Sequence, residues 1–225
     1  MAPGMDVDTA LKARVSVRAF LPDAVPEALV REILEVARFA PSGGNLQPWK
    51  VIAVAGAARE AVQAIGLGTG EREAEEDGVA VYPANLWEPY RSRRFKNAED
   101  MYGVLGIPRE DKVRRLAQFG RNALFFGAPV GLFFVTDRRF AHGQWMHIGM
   151  LLQSIALAAT ARGLGTCMQE FWSRSRTSLH QHFKLEENDI LVCGMALGYA
   201  DPNAPINSYR TERAAVDDFA TFEGF

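Results

Sequence analysis

Val130-Gly131-Leu132-Phe133-Phe134-Val135-Thr136 is an apolar run whose only polar side chain comes last. A short run of this kind, rich in β-branched and aromatic residues, reads as a strand buried on both faces rather than an alternating strand with one face in water. Ile190–Leu197 (ILVCGMAL) is a second run of the same kind, Lys50–Ala55 (KVIAVA) is a shorter one, and Thr166–Glu170 is a brief extended piece. A sheet with two apolar faces needs a cover on each, and the rest of the chain supplies helices for it.

Leu29, Ile33, Val36, Ala37 and Ala40 fall on one face of a helix over 26–40, with Pro26 suited to its first turn and Pro41 ending it. Ala57–Ile65 returns to helix. Val113, Leu116 and Ala117 carry helical spacing within Arg109–Phe126, and Ser173–Phe183 reads as another helix. In Gln144–Arg162 a stripe of Trp145, Ile148, Leu152, Ile155 and Ala159 marks a long helix. Three or four strands among six or seven helices read as an α+β chain forming one domain over residues 1–225. Gly66–Gly78 is glycine-rich and then acidic. Tyr82–Lys96 is irregular, aromatic and basic, with Pro83 and Pro89 set against long helices. The stretch from about 66 to 108 therefore reads as an insertion or lid.

The 225 residues are 48% apolar and 23% charged, and 25 Lys+Arg against 27 Asp+Glu leave a net charge of −2. A chain of this length buries roughly 70–75% of its unfolded surface and needs no disulfide or metal staple. The balance argues against a general nucleic-acid binder, which carries a basic excess. No apolar run approaches the roughly 20 residues that span a bilayer, and Met1–Asp6 lacks the order of a secretory signal. Cys167 and Cys193 fit neither a redox pair nor a zinc site and read as core residues. A cytoplasmic protein is expected, with no membrane or nucleic-acid partner.

Several enzyme signatures are missing: no Walker loop, no H-E-x-x-H and no G-x-S-x-G occurs, and the four histidines make no metal set. His180 and His182 read as exposed, His142 and His147 as structural. Gly66-Leu67-Gly68-Thr69-Gly70 ends a helix instead of opening one, which sets it against a dinucleotide cradle. Arg14-Val15-Ser16-Val17-Arg18 is different. When extended, it places Arg14, Ser16 and Arg18 on one face, two guanidinium forks around a hydroxyl. That face is either an anion clamp or a solvated basic strand. Ala40-Pro41-Ser42-Gly43-Gly44-Asn45-Leu46-Gln47-Pro48-Trp49 is either a shaped ligand loop or an ordinary connection.

Together with Gly163-Leu164-Gly165-Thr166-Cys167-Met168-Gln169-Glu170-Phe171-Trp172 and Gly198-Tyr199-Ala200-Asp201-Pro202, these two segments resemble the FMN-dependent nitroreductase family, in the family's order from Arg14 to Arg213. Tyr102–Arg109 and Phe126–Val130 resemble its nitrobenzoate-reductase branch most. The resemblance implies a three-layer α/β/α sandwich with a small, mostly antiparallel sheet, assembled as an intertwined homodimer with FMN at the interface. It implies that Arg14, Val15 and Ser16 hold the FMN phosphate, with Arg210 or Arg213 from the tail, and that Arg18 stabilises charge on the reduced pyrimidine. Pro41, Ser42, Gly43 and Asn45 match the loop lent to the partner's flavin. Gln169, Glu170 and Phe171 match the strand end facing flavin N5 and O4, where the family usually has Gly at the position of Phe171. The family's pyrimidine-binding Asn falls on Asn122 or Arg121, with Asn122 the better amide.

The implied chemistry is ping-pong hydride transfer, from NADH or NADPH to flavin N5 and then to a small electron acceptor. A nitroarene, including a nitrobenzoate, would pass through nitroso to hydroxylamine. No side chain serves as nucleophile. A quinone, an enone or a dehydrogenation substrate is the alternative within the family, and a non-catalytic anion-binding or interaction protein the alternative outside it. The cations and rings of Tyr82–Tyr102 form either a wall meeting a substrate carboxylate or a solvated surface.

Overall fold

A computed structural model describes residues 5–68, 81–83, 85–140 and 142–225. The chain runs through α1 (Val7–Ala13), α2 (Glu27–Ala37), β1 (Lys50–Ala55), α3 (Gly56–Gly68), α4 (Tyr90–Val104) and α5 (Lys112–Gly120). It continues through β2 (Val130–Asp137), α6 (His142–Thr160), β3 (Gly165–Gln169), α7 (Arg176–Phe183) and β4 (Asp189–Gly198). The strands lie side by side in the order β1-β2-β4-β3, every pair antiparallel. The α+β class and the small antiparallel sheet agree with the sequence reading.

β2 is the strand that the rest is built around, and it is buried on both faces. Val130, Leu132 and Phe134 join Cys193, Met195 and Leu197 of β4 against α2 and α6. Phe133 and Val135 point the other way, into a core with Val62 of α3, Leu179 of α7 and the rings of Phe125 and Trp172. A register shift between Phe134 and Val135 pairs them with Cys193 and Leu191, skipping Val192, so Leu191 and Cys193 serve opposite cores.

The second core is aromatic. Trp172 stands 4.9 Å from Phe125 and 5.2 Å from Phe133, centroid to centroid. It reaches the sheet because Gly194 has no side chain: a Cβ there would lie 2.4 Å from Trp172 Cδ1. The segment after α1 closes the β3 edge. Val17 N–H donates to Thr166 O at 2.9 Å, Ser16 bridges Thr166, and Leu21 N–H donates to Tyr199 O at 2.9 Å. Gly165 permits that approach, since a Cβ there would sit 2.6 Å from Val17 Cγ2.

Four expectations about the helices need correction. Tyr82–Lys96 is not irregular throughout, because α4 starts immediately after Pro89, at the one end of a helix where a missing N–H costs nothing. α4 buries no side chain, so no apolar stripe announced it. It is held instead by charge, with Arg115 forked onto Glu99 at 2.6 and 3.0 Å and stacked 4.3 Å from the Tyr102 ring.

The helix expected over Arg109–Phe126 is shorter, since Asp111 caps it by accepting from Arg114 N at 3.0 Å, and Phe125 and Phe126 leave it with φ near +50° to reach the core. Its periodic Val113 and Leu116 face outward, 79% and 69% exposed. Ser173–Phe183 is a 3-10 turn followed by α7. In α2, Val36 is exposed and Val30 takes its place in the core. Gly66 and Gly68 belong to α3, and the acidic run that follows lies outside the described residues.

Gly194→Ala should destabilise the fold by about 1–3 kcal/mol, because the added methyl meets the fully buried Trp172 and the Leu132 carbonyl rather than a side-chain tip. A denaturant midpoint equal to that of the unmutated chain would contradict this packing.

Candidate functional site

Arg14, Ser16 and Arg18 line the β3 edge, all three partly exposed, while Val17 between them is buried. Arg18 folds back onto Ser16 O at 3.3 Å. Arg14 has no acidic partner among the described residues. Partial burial and the nearby Arg213 guanidinium together hold it below the usual arginine range, with the Cys167 thiol opposing weakly. Two cations thus stand within each other's field, and neither forms an ion pair among the described residues. That is an unfavourable arrangement unless an anion joins it.

The tail separates the two arginines that sequence left open. Arg210 spends Nη1 on the carbonyls of Asn207 at 2.8 Å and Tyr209 at 3.0 Å. Among the described residues Arg213 donates only to its neighbours Thr211 and Glu212, and it lies within electrostatic reach of Arg14. The residue that sequence reasoning missed is Asn207, half-buried. Its Oδ1 accepts from Arg18 N at 2.9 Å, and its Nδ2 donates to Ala19 O at 2.7 Å and Asp201 O at 2.9 Å. Nothing in the local pattern marks it, because two of its three partners lie far upstream.

At the end of β3, Gln169 is almost wholly buried and fully engaged. Nε2 donates to Asn122 O at 2.8 Å and Oδ1 at 3.2 Å, and Oε1 accepts from Trp172 Nε1 at 3.3 Å. Asn122 also donates Nδ2 to Phe119 O at 2.9 Å. Both ends of the Asn122 amide are therefore used inside the chain, whereas Arg121 has no hydrogen-bond partner among the described side chains. Burial raises the Glu170 carboxyl above the usual range, and a hydrogen bond from the Tyr82 hydroxyl draws it part of the way back. Phe171 turns its ring edge-on to Phe119 at 5.5 Å and Trp172 at 5.4 Å, with Arg174 over both phenylalanine rings.

The loop of Pro41, Ser42, Gly43 and Asn45 is held elsewhere. Gly43 N–H donates to His147 Nε2 at 3.2 Å, Gln47 N–H donates to Ser42 Oγ at 2.9 Å, and Gly44, Asn45 and Gln47 all have positive φ. The loop is shaped and mostly exposed. No hydrogen bond among the described residues ties it to Arg14–Arg18 or to Gln169–Phe171. The structure does not bring it to the other candidate residues of its own chain, and His147 is structural, as expected. Cys167 and Cys193 are buried, which pushes their thiols up to about 11 and about 12. Among the described residues no cluster is able to hold a metal ion and no helix is long and apolar enough to cross a membrane.

Residues 11–199 match the model of the Nitroreductase family. The chain is 39% identical over 220 residues to a 4-nitrobenzoate reductase of Pseudomonas putida, covering 98% of this chain and 96% of that one. It is 36% identical over 218 residues to a nitrobenzene nitroreductase of Ectopseudomonas oleovorans, covering 96% of each. Its fold superposes on the FMN- and NADPH-dependent nitroreductase NfnB from sphigopyxis sp. strain HMH with a TM-score of 0.93 and 40% identity, over 98% of this chain and all of that one. The FMN-dependent NfnB of Mycobacterium smegmatis in complex with NADPH gives a TM-score of 0.87 at 30% identity, over 96% and 97%.

Asn207→Ala should strip three backbone groups of their partner and cost about 1–3 kcal/mol in stability. Thermal melting of the purified variant tests this, and an unshifted Tm would show that water replaces the amide.

Proposed function

This chain belongs to the Nitroreductase family, and from that premise we propose that it is an FMN-dependent NAD(P)H oxidoreductase reducing nitroaromatic compounds. The observation that carries the reading is the Arg14-Val15-Ser16 segment with Arg213 within electrostatic reach of Arg14, two guanidinium groups that form no ion pair among the described residues. A phosphate monoester dianion supplies what they lack. Charge-assisted bonds to guanidinium forks are the strongest a protein offers such a group. The residues therefore fit FMN at its phosphate end.

Arg14, Val15, Ser16 and Arg213 would hold the phosphate, and Arg18 and Arg121 would bring positive charge towards the pyrimidine. Asn122, through Gln169, would orient the end of β3, where Glu170 and Phe171 present their backbone. Arg210 would serve by shaping the tail rather than by touching the ligand. When bound, FMN supplies two-electron transfer between NAD(P)H and the acceptor. The protein's own part is to bind, to orient and to exclude water, because no side chain here is arranged as a nucleophile. The similarity to nitrobenzoate and nitrobenzene reductases over nearly the whole chain supports a nitroarene as acceptor. A soluble cytoplasmic location agrees with this chemistry, and residues 1–225 form one domain in this reading.

The working unit in this reading is an intertwined homodimer. Phe39, Leu46, Met146 and Met150 are exposed, and Phe219, Phe222 and Phe225 stand out from the tail at 73%, 62% and 105%. β1 is an edge strand beside an apolar hollow of about 570 Å³ that includes Val30, Leu34, Val51 and Val130. Apolar surface of this extent, together with an open strand edge, calls for a cover, and the partner's phenylalanine-rich tail has the matching chemistry. The Pro41–Asn45 loop, unattached to its own chain's candidate site, is then free to meet the partner's flavin.

The purified protein should be yellow and release equimolar FMN on denaturation, and a colourless protein that takes up no added FMN would remove the reading. Arg14→Ala should weaken FMN binding by about ten- to a hundredfold without lowering the melting temperature of the apo-protein, because it relieves a like-charge contact. Sedimentation equilibrium should give twice the 24.8 kDa of the single chain, and a persistent monomer at micromolar concentration would exclude the shared site.

A further inference from the structure

α4 buries no side chain, yet it is fastened to the tail at two points. The Tyr209 hydroxyl lies 3.1 Å from Asn97 Oδ1 and 3.2 Å from Asn97 O. Lys96 Nζ reaches Glu212 Oε1 at 3.2 Å while it also holds Asp100 at 2.6 Å. Between helix and tail lies a cavity of about 280 Å³, with Arg93 on one wall and Arg213 on the other. The same short stretch of tail also meets the basic segment, where Asn207 is bound to Arg18 and Ala19 and Arg213 lies within electrostatic reach of Arg14.

We propose that Tyr209 and Glu212 are positioning residues for the phosphate end of the cofactor site: braced on α4 through Asn97 and Lys96, they hold Arg213 beside Arg14. The inference rests on the flavoprotein reading above and adds a role for α4, which that reading leaves unassigned. The physical need is plain. Arg213 is exposed, has a long flexible side chain and is repelled by the cation that it must accompany, so an unbraced tail would swing it into water. A strut on the far side opposes that swing, and an arginine already in place loses less freedom when the anion arrives.

Coupling of this kind is reciprocal. Phosphate held by Arg14 and Arg213 should in turn steady α4. Of the two bracing contacts, the Tyr209–Asn97 bond should be the less sensitive to salt, since Lys96 and Glu212 are largely exposed and screened.

Riboflavin separates positioning from general structure, because it carries the isoalloxazine without the phosphate. Fluorescence titration of the full-length apo-protein should show Tyr209→Phe and Glu212→Gln each raising the Kd for FMN about three- to fivefold while leaving that for riboflavin unchanged. Arg213→Gln should act in the same sense but more strongly, and Lys96→Arg, which keeps the charge, should bind both flavins as the unmutated chain does. Hydrogen exchange over 90–104 should slow on adding FMN and not on adding riboflavin. Equal weakening of both flavins by Tyr209→Phe and Glu212→Gln would make them merely structural and overturn the proposal. So would no effect on FMN from these two while Arg213→Gln does weaken it. If Arg213→Gln is itself silent in a chain that binds FMN, the assignment of Arg213 fails. If the unmutated chain binds neither flavin, the flavoprotein reading fails first and this proposal with it.

Discussion

The double burial of β2 is the constraint from which the other positions follow. A strand with Val130, Leu132 and Phe134 on one face and Phe133 and Val135 on the other cannot stop at two layers, so α2 and α6 close one side and α3 and α7 the other. β4 lies beside it and feeds both cores, its bulge moving Leu191 to the face opposite Cys193. β3 then takes the far edge, and its end emerges between the aromatic core and the basic segment. The place where Gln169 and Glu170 stop being sheet is thus set by hydrophobic packing well inside the molecule.

Against that rigid frame the polar parts divide into two kinds. Some are internally satisfied. Gln169 with Asn122 and Trp172, Asn207 with three backbone groups, and His147 with Gly43 belong here. They fix shape, because a buried amide that lost its partners would cost more than the bond itself contributes. The others are left unbalanced, above all Arg14 and Arg213. The near-zero net charge of the chain conceals this local excess, since electrostatics at a site depends on which charges are neighbours and not on their sum.

The strands were legible because their signal is local: three short apolar runs and one brief extended piece, each close to its observed bounds. Lys50–Ala55 coincides with β1 residue for residue. α4 was illegible because it has no buried face, and hydrophobic periodicity reports burial rather than helicity. α5 misled in the opposite sense, with Val113 and Leu116 regularly spaced but turned outward. The Arg14–Arg18 face was readable from strand alternation, but its pairing with Arg213, nearly two hundred residues on, was not. Sequence also could not decide between Arg121 and Asn122, since only the fold reveals that the Asn122 amide is already occupied by Gln169 and Phe119.

By itself the sequence determined the layer architecture, the α+β class and the family, because apolar runs and ordered motifs survive as patterns along one dimension. The tertiary structure alone decided which arginine of the tail lies within electrostatic reach of Arg14, what fastens the tail to α4, and which surfaces are left bare. Those are relations between residues distant in the chain, brought together only when the two cores close around β2.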